Sequence, residues 1–278
     1  MNGFEKLLEL LDGKMETPTA FGWFHILSIL VVIGLIVTVV FTCRNLSNKT
    51  FKIITITTAS VMLLLEVYKQ FNYSYNPANG EWAYQWYAFP FQFCSTPMYV
   101  LLLAGLVKPG KFQDFLCSFL ATFGLFAGLI VMILPGDVFI KTIGINIQTM
   151  VHHGLMIVIG VFMYVSGRAK LEHKTILKGA AVFGVLIVAA FLMNVLFHYT
   201  GDIENHDFNM FYIGPYIPTH LIILSDIYAI NYYLFLASYL FGFTLAGYIM
   251  LLIAMLISFI TKKIKQSKAK KQLTKQVE

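Results

Sequence analysis

Charge is what this sequence has least of. Asp, Glu, Lys and Arg make up 12% of its 278 residues, against about 25% in a soluble globular domain. An ordinary water-soluble enzyme is therefore excluded. There are three cysteines, without paired spacing, so neither a disulfide framework nor a cysteine metal motif is present. Polar low-complexity tracts and internal repeats are missing, which excludes disordered, collagen-like and solenoid architectures. The N-terminus has no basic start ahead of a short apolar run and no small-residue cleavage site, so no cleaved signal peptide is expected. What remains is apolar. Hydrophobic residues reach 58% and the mean hydropathy is +0.73, which points to an all-α integral membrane protein.

A membrane span needs about 20 mostly apolar residues. Seven stretches meet that length, at 21–42, 51–72, 87–107, 115–134, 143–165, 176–198 and 231–260. The connections are mostly short, so consecutive helices should run antiparallel in a seven-transmembrane-helix bundle. Of the 20 Lys and Arg residues, 16 fall in one set of loops and the C-terminal tail, while 11 of the 14 acidic residues fall on the other side. Basic loops stay cytoplasmic, so the N-terminus is expected outside and the C-terminus inside. Three parts follow: a short interfacial amphipathic segment (1–20), a single membrane domain (21–260) and a basic cytoplasmic tail (261–278). In the first, Phe4, Leu7, Leu8 and Leu11 recur at helical spacing. The basic collar should meet anionic lipid headgroups rather than nucleic acid. The largest loop, 199–230, lies outside. Its Gly214-Pro-Tyr-Ile-Pro218 run suggests either a re-entrant, lid-like segment or an ordinary extracellular loop.

Ionisable groups inside spans are costly, so each marks a site candidate. His25 lies near the outer end of the first span, Glu66 and Lys69 near that of the second. Gln92 and Cys94 lie a little way into the third, and His152 and His153 about midway along the fifth. Asn194 and His198 are near the outer end of the sixth, and Asp226 and Asn231 open the seventh. At 1.5 Å per residue these groups share a layer roughly 6–15 Å below the outer surface. Plain explanations exist for single members. Glu66 and Lys69 are i and i+3 and can pair; His25 and His198 can be solvated; Asn194 can tie two helices together.

Cys94 is the sharpest chemical candidate. It sits in Phe89-Pro-Phe-Gln-Phe-Cys-Ser-Thr-Pro97, where two prolines each remove a backbone hydrogen bond and bend the helix. The alternative is a packing cysteine, a role that suits Cys117 and Cys43 better; Cys43 is also placed for palmitoylation. His152 and His153 point about 100° apart on a helix, and periodicity does not choose between them. No two histidines share metal-ligand spacing within one span, so neither a metal nor another cofactor is expected.

Pro90-Phe-Gln-Phe-Cys94-Ser95 and the later His153-Gly154 resemble the Pro-x-His-x-Cys-Ser element and the histidine of the YwaF-type bacterial integral membrane proteins. Phe21–His25, Asn194 with Phe197, and Gly214-Pro215 extend the likeness across roughly 21–255. That group is similar to the eukaryotic transmembrane protein 164 family, multi-span acyltransferases that remodel phospholipids with a membrane cysteine and histidine. The resemblance implies that Cys94 is the nucleophile and His153 its partner, with His152 as fallback. It implies substrates drawn from membrane phospholipids or lysolipids, and a multi-pass place in a bacterial plasma membrane. Gln92 stands where relatives have histidine. The substrate-binding set expected beside the pair is Glu66, Lys69, Gln92, Ser95, Asn194 and His25. Two rivals remain at this stage. A transporter needs a polar path to both faces, and a seven-helix sensor needs an outer pocket and signalling partners inside. No residue pattern fixes an oligomeric state.

Overall fold

The computed structural model describes residues 3–136, 138–200 and 208–277. Residues 201–207 of the expected outer loop and Asp137 lie outside the described residues, as do the side chains of Lys270, Lys271 and Lys275. The chain is mostly helical, because apolar surroundings force every backbone group to find its partner within the protein. The helices are α1 (Gly3–Leu11), α2 (Trp23–Thr42), α3 (Asn48–Ser74), α4 (Thr96–Leu106), α5 (Lys111–Phe119), α6 (Leu125–Ile133), α7 (Ile143–Val165), α8 (Lys174–Thr200), α9 (Leu224–Ile230) and α10 (Tyr232–Val277). A two-residue ribbon, β1 (Tyr75–Asn76) against β2 (Glu81–Trp82), follows α3.

Among the described residues, six helical stretches are long and apolar enough to cross a membrane: α2, α3, α5 continued through α6, α7, α8 and α10. The third expected span differs. Instead of one bent helix over 87–107, the chain makes a 3-10 turn at Trp86–Ala88, an irregular stretch over 89–95, and only then the 11-residue α4. The prolines explain this. Phe89, just before Pro90, is extended (φ −48°, ψ 134°), as a residue preceding proline prefers. Pro97 sits in the first turn of α4, where its missing N–H costs nothing. Sequence periodicity reads both as kinks; the structure makes them the two ends of a break.

α7 forms the centre. It is the most deeply buried span and packs against α2, α3 and α6. α5 and α6 are joined through a buried π-helical turn at Leu120–Gly124. Aromatic rings knit this turn to α8 and α10: Phe123 stacks on Phe183 at 4.6 Å, and Phe183 on Phe243 at 5.9 Å. α6 and α7 touch through Gly128, where an added Cβ would lie 2.7 Å from the His153 carbonyl oxygen and 2.9 Å from Met156 Cβ. Gly128→Ala must therefore push α7 aside. We expect a loss of about 1–3 kcal/mol, read as a lower melting temperature in detergent, whereas Ala at the open Gly34 should leave it unchanged.

α1 packs over the end of α3. Phe4 meets Phe71 edge-on at 5.1 Å and Trp82 face-on at 6.2 Å, and the Tyr68 hydroxyl donates to the Leu11 carbonyl. The next residues pair with the entry to α7: Met15 N–H donates to Lys141 O, and Ile143 N–H to Gly13 O. At the other end, α10 does not stop near 260. Its 46 residues measure about 69 Å, more than twice the roughly 30 Å hydrocarbon core. Lys, Gln and Ala over 262–272 are good helix formers, so the tail continues the helix.

Candidate functional site

The break before α4 leaves backbone groups without helical partners, and most of its carbonyls find partners elsewhere. Tyr99 Oη donates to Pro90 O (3.0 Å), the Ser95 and Thr96 amides to Gln92 O (2.9 and 3.1 Å), and Thr96 Oγ1 to Phe93 O (3.0 Å). Cys94 O accepts from His152 Nε2 at 3.0 Å. A buried irregular segment is tolerated at membrane depth only with such partners.

A second irregular segment meets the first. Residues 208–211, 213 and 214 are buried, and three amide side chains hold them. Gln92 Oε1 accepts from Phe211 N–H (2.9 Å) while its Nε2 donates to Asn209 O (3.0 Å). Asn194 bonds both backbone groups of Met210, accepting from N–H at 2.7 Å and donating to C=O at 3.0 Å. Asn209 closes the turn onto Gly214 N–H and Ile217 O. Phe211 and Tyr212 take left-handed backbone (φ 58° and 55°), an uncommon state for bulky residues. Phe211 packs 5.7 Å from Phe93 and Phe208 5.5 Å from Phe89. The stretch around Gly214 is thus a buried plug packed against the break.

The two histidines are both buried on α7. Carbonyl partners fix their tautomers, since a carbonyl only accepts. His152 Nε2 carries the hydrogen given to Cys94 O, and His153 Nδ1 the one given to Thr149 O at 2.8 Å. The other nitrogens, His152 Nδ1 and His153 Nε2, are buried and make no hydrogen bond. In a neutral ring each is a lone-pair base. Cys94 is half-buried, with the Ser95 hydroxyl in hydrogen-bonding reach of its sulfur. Glu66 and Lys69 lie within electrostatic reach of Cys94 and His153 and pair with each other at 2.8 Å. Glu66 Oε1 also accepts from Gln70 Nε2 (2.8 Å), whose Oε1 accepts from the Tyr84 hydroxyl (2.8 Å). Burial and the Glu66 carboxylate push the Tyr84 phenol up, keeping it a donor.

Residues 20–253 match the model of the TMEM164 family. The chain belongs to the TMEM164 family. No curated protein and no solved structure matches it. The TMEM164 match takes in α2 to α9 and the plug, with both histidines and Cys94 inside it, while α1 and the extension of α10 past 253 lie outside. This TMEM164-family chain is a multi-pass membrane protein: the side chains α2 and α10 present outward, such as Leu30, Val31, Phe241 and Ile257, are exposed apolar groups suited to lipid.

Within this TMEM164-family chain the expected site residues separate into two groups. Cys94, Ser95, His152, His153, Glu66 and Lys69 gather around the break. Gln92 and Asn194, expected to face substrate, instead have both ends of their amides on the plug. His25 is fully buried and saturated, accepting from Phe21 N–H at Nδ1 and donating to Met132 O from Nε2, both at 2.9 Å. It latches α2 to the end of α6. His198 is exposed and stacks on Tyr216, and Asn231 caps α10 through Leu234 N–H. Asn209 and Gln70 escaped the sequence reading. Gln70 was discoverable as the i+4 neighbour of Glu66; Asn209 carries no local signal.

Proposed function

We propose that this chain is a membrane-embedded phospholipid acyltransferase or esterase in which Cys94 carries the acyl group and His153 is the base. The observation that carries the reading is the pair of buried, unbonded imidazole nitrogens on α7, one ring of which is held on the carbonyl of the only cysteine in the break. His153 has the layout of a working base, with Nδ1 oriented by an acceptor and Nε2 left free. His152 fastens the nucleophile's turn.

The chemistry is balanced. His153 Nε2 takes the thiol proton, and the thiolate attacks the ester carbonyl. The C–S bond forms, the C–O bond breaks, and the imidazolium returns the proton to the departing alcohol. A lysolipid hydroxyl or water then gives its proton to the same nitrogen, attacks the thioester and restores the thiol. Ser95 and the amino end of α4, next to Cys94 in the chain, suit stabilisation of the oxyanion. Lys69 and Glu66 suit a phosphate or zwitterionic headgroup, while Gln92, Asn194 and His25 act by positioning.

The same reading includes the seven-span arrangement, with α4 and the break as the third crossing, the N-terminus outside and the C-terminus cytoplasmic. The membrane domain lies over 21–260, the interfacial segment before it and the basic extension after it. The likeness to the YwaF-type motif supports a bacterial plasma membrane as its setting, with the basic end of α10 over anionic headgroups. Intact-mass spectrometry after incubation with mixed phospholipid vesicles tests the chemistry. A hydroxylamine-sensitive acyl adduct should form on the wild type and be absent from Cys94→Ala. Equal lipid turnover by both proteins with no adduct on either refutes the acyl-enzyme.

A further inference from the structure

An acyl chain carried at the third-span break needs an apolar slot beside it. A groove of about 650 Å³ runs along α3 there. Leu63, Val67 and Phe71, spaced at i, i+4 and i+8, form one wall; Trp82 and Ala83 form another. Pro90 and Tyr99, which bracket Cys94 and are tied together by the Tyr99 hydroxyl, complete it. The groove therefore shares a wall with the cysteine's turn. From Leu63 to Ser74 it extends about 16 Å along the helix.

Three observations select the occupant. First, the groove opens on the outer face of α3, where Val67 is 50% and Phe71 41% exposed, so entry is from the lipid side. Second, the side-chain amide and hydroxyl hydrogens in its lining are already given within the protein. Gln70 Nε2 donates to Glu66 and to Ala88 O, the Tyr84 hydroxyl to Gln70 Oε1, Ser74 to Gln70 O and Tyr99 to Pro90 O. The Glu66 carboxylate in the lining is already matched by Lys69 and Gln70. Third, its size suits a long chain: at roughly 30 Å³ for each water-sized group, about 650 Å³ corresponds to on the order of 20 such groups in a row.

We propose that this groove binds a single acyl chain of a membrane lipid, and that Leu63 and Val67 set the length of chain presented to Cys94. The length claim rests on the acyl-enzyme reading; occupancy of the groove does not. The test uses full-length protein in phosphatidylcholine vesicles containing a lysophospholipid with a mid-chain diazirine. After irradiation, peptides containing Trp82–Tyr84 and Tyr99 should be labelled several-fold more than lipid-facing α10, in wild type and in Cys94→Ala alike. Val67→Trp, a change at a half-exposed position, should cut that labelling at least fivefold and leave α10 unchanged. Uniform labelling, or labelling indifferent to Val67→Trp, overturns the proposal. In the second arm, the adduct on Leu63→Trp and Val67→Trp should shift to chains several carbons shorter than on wild type. An adduct of unchanged chain profile overturns the length claim. Absence of any adduct on the wild type refutes the acyl-enzyme and with it the length claim, while the labelling still decides occupancy.

Discussion

Replacing His153 by Ala should slow acylation of Cys94 by about 100- to 10,000-fold, the span expected when a positioned general base is lost. The expectation comes from the two ring nitrogens. Thr149 O holds the Nδ1 hydrogen at 2.8 Å, and Nε2 is buried without a bond, so the ring reaches the reaction already in the basic tautomer. His152 should behave differently. Its Nε2 hydrogen is given to Cys94 O, so His152→Ala strips a buried carbonyl of its donor, which costs about 1–3 kcal/mol of stability. Acylation should fall less than in His153→Ala, while the melting temperature falls more. The readout is single-turnover adduct formation by mass spectrometry beside thermal unfolding in detergent. If His152→Ala shows the larger kinetic loss with an unaltered melting temperature, the roles are reversed.

The second large effect is structural and concerns Asn194. One side chain satisfies both backbone groups of Met210, at 2.7 and 3.0 Å, in a fully enclosed setting. Asn194→Leu keeps the volume and leaves an N–H and a C=O without partners. At about 1–3 kcal/mol for each unsatisfied group, the loss is about 2–6 kcal/mol. For a chain of this size that corresponds to a melting temperature lower by about 5–20 °C. Gln92→Leu should cost a similar amount through Phe211 N–H and Asn209 O. The double variant should lose less than the sum, because either change alone already frees the plug. Strict additivity would show that the two amides hold independent pieces of chain.

Much of this architecture is legible in the residues themselves. Long, mostly apolar runs identify α2, α7 and α8, since in lipid such a run has no stable form but a helix. The layer of polar groups in one half of the bundle is also legible, because depth follows from position at 1.5 Å per residue. Three features are not. Pro90 and Pro97 are read as bends, because the sequence does not show that Tyr99 and His152 will serve the freed carbonyls. Gln92 and Asn194 look like substrate ligands, since backbone partners 117 residues away for Gln92 and 16 away for Asn194 leave no local trace. The C-terminal lysines look like a loose tail, yet their helix propensity, continuous with the last span, carries α10 on to Val277. His25 shows the same limit: a histidine near the interface reads as solvated, but the end of α6 closes over it.

The interlock between the two irregular segments has a consequence for the order in which the protein is made. When residues 89–95 leave the ribosome, the plug that anchors Gln92 lies more than a hundred residues from being synthesised, as does α10. Asn194 and His152 also arrive later. The early chain must therefore keep this stretch near water or in a chaperoning insertase, with only α2 and α3 firmly seated. The break before α4 settles after α7 supplies His152 and the plug supplies Phe211 N–H and Asn209 O. Truncation before residue 208 should thus leave the cysteine's turn accessible to water-soluble thiol reagents, because the turn closes only once most of the chain has been made.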